Sequence, residues 1–206
     1  MNINAHDLLW ISRDDALVID GDLPEWFIQQ DITLDPVVVR REALPVDWIP
    51  IGIRGITRSQ RLAAKVRYAD ITKRITPEEV IRDYQHNIKR SSFAALDALQ
   101  CLIDINMAWQ WGVTGSTAYQ LVTDRIVMNE QSDLDLLFRC PCAKNRDSFI
   151  QLSELLSSLP CKIDAQIETP QGAFALKEYV RDNNVMLKTP YGPIMTKNPW
   201  AISRKI

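Results

Sequence analysis

The sequence predicts an α+β protein: a small mixed N-terminal lobe over residues 1–75, then a larger lobe over residues 76–206 in which helices flank a mixed sheet. Three observations predict this. β-Branched runs dominate the first part, at residues 37–41 and 49–53. Composition changes near residue 75, where Thr76-Pro77-Glu78-Glu79 supplies a capping hydroxyl, a proline at the first helical position and acids in the first turn. From Trp111 onward, short apolar strands alternate with helical periodicity.

The elements follow in order. Residues 7–11 read as a short helix and 16–19 as a strand, with Trp10, Trp26 and Phe27 as apolar anchors. Residues 37–41 follow Pro36 as a strand, and 49–53 form a second, with Gly52 and Gly55 marking close approach or a turn. Residues 59–68 read as a helix: Arg58, Arg61 and Lys65 fall at helical spacing, Leu62 and Val66 on another face. The helix opened by Thr76 buries Val80, Ile81, Tyr84 and Ile88. The next, over 91–107, buries Leu96, Leu99, Ile103 and Met107. A short strand then enters Gly115-Ser116, followed by a helix over 116–122 and a strand over 134–138. A helix over 145–159 carries Phe149, Leu152, Leu156 and Leu159 on one side. Residues 162–168 alternate strictly as a strand, 172–181 read as helical, and 185–189 as a strand before a turn at 190–193 and a short strand or extended tail.

Composition bounds the function. Apolar residues make up 46% of the 206 and charged residues 24%, enough for a real core in an ordinary soluble chain. A net charge of -2 argues against a nucleic-acid binder. The charge is uneven, however. Residues 1–35 hold one basic side chain, Arg13, against eight acids, while residues 36–75 hold nine basic side chains against Glu42, Asp47 and Asp70. A basic segment in an acidic protein suggests a local anionic partner; a solvated face, ion-paired to the acidic neighbour, is the plainer reading. No stretch resembles a signal peptide or a membrane span. Cys101, Cys140, Cys142 and Cys161, with only His6 and His86, make no zinc pattern and read as reduced thiols of a cytoplasmic protein.

The candidate chemistry centres on residues 112–138. On a strand, Asp133 and Asp135 project from one face while Leu134 and Leu136 enter a core. Paired carboxylates repel unless a cation joins them, and Mg2+ selects such oxygens. Alone, this pair reads as a solvated turn. A third acid, Asp164, lies on the polar face of the alternating strand, opposite Ile163, Ala165 and Ile167. If that strand neighbours the first, three carboxylates can hold two metals. Gly115 allows close backbone approach, and the helix N-terminus behind it, with Ser116 or Thr117 as hydroxyl donor, suits phosphate. By itself it reads as an ordinary helix cap. Arg40, Arg41, Arg54, Arg58 and Arg61 can form one cluster, and arginine forks suit phosphate. Lys188 approaches the phosphates from a later strand or simply faces solvent.

Gly115-Ser116, Asp133-Leu134-Asp135 and the later Asp164 resemble the DNA polymerase β-type nucleotidyltransferases. A closer resemblance covers nearly the whole chain. It rests on His6-Asp7-Leu8-Leu9-Trp10, Pro36 to Arg41, Pro50 to Gly55 with Ser59-Gln60-Arg61, Gly112 to Thr117, Ser132 to Leu136, Asp164 to Gly172, and the ending Gly192-Pro193 with Asn198-Pro199-Trp200. These pieces resemble the malonate decarboxylase holo-acyl-carrier-protein synthases, the phosphoribosyl-dephospho-CoA transferases. The resemblance implies a polymerase β-like catalytic lobe. It also implies transfer of the prosthetic group from 2'-(5''-triphosphoribosyl)-3'-dephospho-CoA to a serine of the apo acyl-carrier subunit of malonate decarboxylase, with loss of pyrophosphate. Asp133, Asp135 and Asp164 would then hold two Mg2+ ions, and Gly115, Ser116 and Thr117 the leaving phosphates. Two other readings stand beside it: another nucleotidyltransferase acting on a small molecule or protein, and a non-catalytic binding protein with a decayed site.

Overall fold

The computed structural model describes residues 2–28, 30–57, 59–88, 93–182 and 184–201; Arg58 and Ser91 lie outside them. Two sheets and six α-helices are found among the described residues, in two compact units, Met1–Thr76 and Pro77–Ile206.

The first unit is an antiparallel sheet of β1 (Leu8–Ile11), β2 (Val37–Val39), β3 (Trp48–Arg54), β4 (Arg61–Arg67) and β5 (Ile71–Ile75), in the order β4-β3-β2-β1-β5. Alternation explains its single core. Ile49, Ile51 and Ile53 of β3 and Ala64 and Val66 of β4 are buried on one face. Leu9, Val37 and Val39 continue that core, which Ala16, Ile32 and the short α1 (Glu25–Ile28), through Trp26 and Phe27, close over. Each such fully buried aliphatic side chain contributes about 1.5–3 kcal/mol.

The second unit is a six-stranded mixed sheet. Its strands are β6 (Gln110–Val113), β7 (Leu134–Arg139), β8 (Ile163–Thr169), β9 (Gly172–Ala175), β10 (Val185–Thr189) and β11 (Gly192–Thr196), in the order β11-β10-β9-β8-β7-β6. Only the β7–β8 pair is parallel among these, and α5 (Arg146–Ser157) makes the crossover between them. Asn145 starts α5 by accepting a 2.6 Å hydrogen bond from the Asp147 amide. One face packs aromatically: Phe138 meets Trp109, and Phe149 meets Trp109, Tyr179 of α6 (Leu176–Asp182) and Trp200, at centroid distances of 5.1–6.0 Å. The remaining helices are α2 (Pro77–Tyr84), α3 (Ala94–Ile105) and α4 (Gly115–Thr123). Gly112 lets α2 lie directly on β6, because a Cβ there would overlap the backbone of Pro77 and Glu78.

Four expectations are corrected. Residues 8–11 form a strand rather than a helix; a four-residue apolar run carries no period, and pairing with β2 and β5 on either side decides it. The strand expected over 16–19 reduces to a 3-10 turn at Asp14–Ala16 and one bridge, Val18 to Lys65. The helix expected over 59–68 is strand β4, whose real period is two: Leu62, Ala64 and Val66 face inward, Arg61, Ala63, Lys65 and Arg67 outward. The helix expected over 172–181 begins as strand β9. Pro170-Gln171 turns the chain back on β8, and the Thr169 hydroxyl accepts from the Gln171 amide at 3.1 Å.

Candidate functional site

The register of β6, β7 and β8 assembles the centre. In the parallel β7–β8 pair, Asp135 lies opposite Asp164 and Leu134 opposite Ile163. Leu134 and Leu136 are buried, while Asp135 is half-buried and Asp164 exposed, so the two carboxylates share the open face as the alternation requires. On the other side of β7, the Thr114 amide donates to the Asp135 carbonyl at 2.9 Å and carries the chain from β6 into α4. Gly115 follows at φ +64, and a side chain there would overlap the Asp135 carboxylate. The start of α4, Asp135 and Asp164 thus stand in one row across three neighbouring segments.

The turn at Gly115 is open in a specific way. Thr114 occupies the cap position but makes no side-chain capping bond, so the first-turn amides of α4 are not taken by it. Gly115 is exposed and Ser116 half-buried. Thr117, expected beside them as a hydroxyl donor, is fully buried with no hydrogen-bond partner for its hydroxyl, which leaves Ser116 as the accessible one.

Asp133 immediately precedes β7, and Lys162, immediately before β8, reaches its carboxylate at 2.5 Å. The sequence reading did not pick out Lys162, although its position two residues before Asp164 in an alternating strand was the available signal. Among the described residues, no three His, Cys, Asp or Glu side chains gather closely enough to hold a metal between them. Mg2+ needs no such cage. It takes one or two carboxylates and completes its octahedron with water and substrate phosphate, and the exposed Gly115 turn lies directly beside the Asp135 carboxylate.

Behind this row, Arg139 of β7 links two elements. Its guanidinium pairs with Glu78 of α2, Nε to Oε1 at 2.6 Å, and with Glu168, directly across on β8. Its side chain is 16% exposed, so both carboxylates have one largely desolvated partner. Lys188 lies on β10, exposed, opposite Ala173 of β9, and so in the row of Glu168 rather than that of Asp135.

The basic side chains of the first unit separate into groups. Arg54 and Arg61 are direct cross-strand partners on β3 and β4. The Arg40 side chain lies against Gly52 on β3 and pairs with Glu42 at 2.9 Å. Arg41 lies just beyond β2 and is half-buried.

Residues 4–77 match the family model described as the phosphoribosyl-dephospho-CoA transferase MdcG N-terminal domain, and residues 80–199 match that of the MdcG C-terminal domain. The chain belongs to this family. Membership makes it a transferase. Relatives described as phosphoribosyl-dephospho-CoA transferases include one from Klebsiella pneumoniae strain 342, 39% identical over 198 residues and 95% of each chain. Another, from Pseudomonas putida, is 38% identical over 203 residues, 97% of this chain and 96% of its own. A third, from Azotobacter vinelandii, is 39% identical over 199 residues, 95% and 93% of the two chains. No solved structure matches the chain. No helix among the described residues is long and apolar enough to cross a membrane.

Proposed function

We propose that this transferase moves the phosphoribosyl-dephospho-CoA group from 2'-(5''-triphosphoribosyl)-3'-dephospho-CoA to a serine of the apo acyl-carrier subunit of malonate decarboxylase, in the cytoplasm, releasing pyrophosphate. The observation that supports it is the row of Gly115, Asp135 and Asp164: an open phosphate turn beside two carboxylates. The serine oxygen attacks the phosphorus attached to the ribose, forming the new phosphodiester as the bond to the leaving pyrophosphate breaks. The serine proton passes to a base, a role that suits the exposed Asp164. The amides of the first turn of α4 and the Ser116 hydroxyl hold the leaving phosphates. Asp133, Asp135 and Asp164 would hold two Mg2+ ions in a polymerase β-like arrangement. Bound there, Mg2+ supplies charge neutralisation on the pyrophosphate and eases ionisation of the attacking hydroxyl. The chain's own part is positioning and electrostatics, as expected of phosphoryl transfer.

Intact-mass measurement of the apo carrier subunit, incubated with enzyme, Mg2+ and this donor, tests the reaction. The expected product is heavier by the donor less pyrophosphate. No gain with this donor, or a nucleoside monophosphate added from ATP instead, would overturn it. Asp135→Asn should lower the rate about 1000-fold or more while leaving the circular dichroism unchanged.

A further inference from the structure

The outward face of β3 and β4 concentrates positive charge. Trp48, Pro50, Gly52 and Arg54 project from it on β3, opposite Arg67, Lys65, Ala63 and Arg61 on β4. The inward residues on the same strands make the core, so this face is set by the same alternation that buries Ile51 and Val66. Two arginines sit directly across from each other at Arg54 and Arg61, an arrangement that costs stability in a sheet. At the other end Arg67 stacks on Trp48, its guanidinium carbon 4.0 Å from the ring centre, and Lys65 lies 5.9 Å from the same ring. Arg40 adds a fifth cation beside Gly52. In the middle of the face Pro50 is buried, Gly52 lies under the Arg40 side chain and Ala63 is exposed.

We infer that this face docks an acidic protein surface, that of the carrier protein which accepts the transferred group; the inference rests on the proposed function. The span decides against a phosphate ligand. Arg61 and Arg67 are six residues apart on one strand, about 20 Å at the usual rise per residue. Separated cations over that length match several carboxylates spread over a folded surface, whereas the donor's phosphates fall in two short groups, its triphosphate and its CoA diphosphate, and the turn at Gly115 already suits the triphosphate. Acidic side chains within the patch decide against nucleic acid. Asp20 pairs with Lys65 at 3.3 Å and Glu42 with Arg40, and both would repel a continuous polyanion. A protein surface with its own lysines can meet them.

The test compares wild type with Arg61→Glu/Arg67→Glu, both residues exposed on the strand, in the carrier-labelling reaction with donor and carrier varied separately. The expected result is a KM for carrier raised about tenfold or more, with kcat and the KM for donor within about twofold of wild type. The wild-type KM for carrier should also rise with ionic strength more steeply than that of the variant. An unchanged KM for carrier, or a rise confined to donor, overturns the inference while leaving the proposed function standing. Binding of a single-stranded RNA probe that the substitutions abolish, with KM for carrier unchanged, overturns it in favour of nucleic acid. Absence of carrier labelling by wild type removes the proposed function, and this inference with it. Should the double reversal impair folding, Arg61→Gln/Arg67→Gln keeps the same readouts with a smaller expected change.

Discussion

Gly115 carries two constraints at one atom: a left-handed φ of +64 and the Asp135 carboxylate where a side chain would be. Gly115→Ala should therefore cost about 1–2 kcal/mol from the backbone alone, and it should displace Asp135. Thermal unfolding reads the first effect. A transfer rate that falls further than the stability loss explains reads the second, and an unchanged rate would separate the glycine from the chemistry. Cys161 reports on the same neighbourhood. Burial pushes its thiol above the usual range, the backbone N–H of Leu134 opposes this, and the charge of Asp133 adds to it. The neutral thiol is favoured, so Cys161 should alkylate more slowly than the exposed Cys101 and Cys142, its rate climbing only at higher pH. Asp133→Asn removes one raising influence and should speed the labelling of Cys161 while leaving Cys101 unaffected, as peptide mass mapping would show. At this scale the shared face of Asp135 and Asp164 was legible because period-two alternation fixes which side chains lie together. The burial of Thr117 was not, since nothing in Gly-Ser-Thr tells which hydroxyl the first helical turn directs inward.

Elements were legible where the period was unambiguous and illegible where four residues separate like side chains. Arg61 and Lys65 share a face in a helix and in a strand alike, and only pairing with β3 distinguishes the two. The salt link through Arg139 was hidden for a different reason: Glu78 is distant in sequence and reaches β7 only because Gly112 lets α2 lie on β6. Arg139 ties α2, β7 and β8 together at the far end of the strands that carry Asp135 and Asp164. Arg139→Leu leaves Glu78 and Glu168 without that partner in a largely buried place, and should cost on the order of 3 kcal/mol. Denaturant unfolding checks it. A loss below about 0.5 kcal/mol would mean that solvent already screens the link as it does at a surface pair.

Across the whole chain, acidic residues precede residue 36 and basic ones crowd residues 36–75, a partition visible in the sequence. What sequence could not convey is that Arg54, Arg61, Lys65 and Arg67 share one sheet face, because that follows from the register of β3 with β4. Fold class was legible for the converse reason: strand alternation, a capped helix and a β–α–β crossover are local patterns whose sum is an α+β chain. The same scale offers a test of metal dependence that needs no turnover. A ligand that binds only the folded protein stabilises it by RT ln(1 + [L]/Kd), about 2.7 kcal/mol at a hundred times Kd. For a chain of this size each kcal/mol moves the unfolding temperature by about 2–4 °C. If Asp133, Asp135 and Asp164 hold Mg2+ against the donor's phosphates, donor at that excess should raise the unfolding temperature by about 5–10 °C when Mg2+ is present. The shift should shrink sharply in EDTA and nearly vanish in Asp135→Asn. Equal shifts with Mg2+ and with EDTA would show that the donor is held by the turn and the cations alone, and would remove the metal from the proposed site.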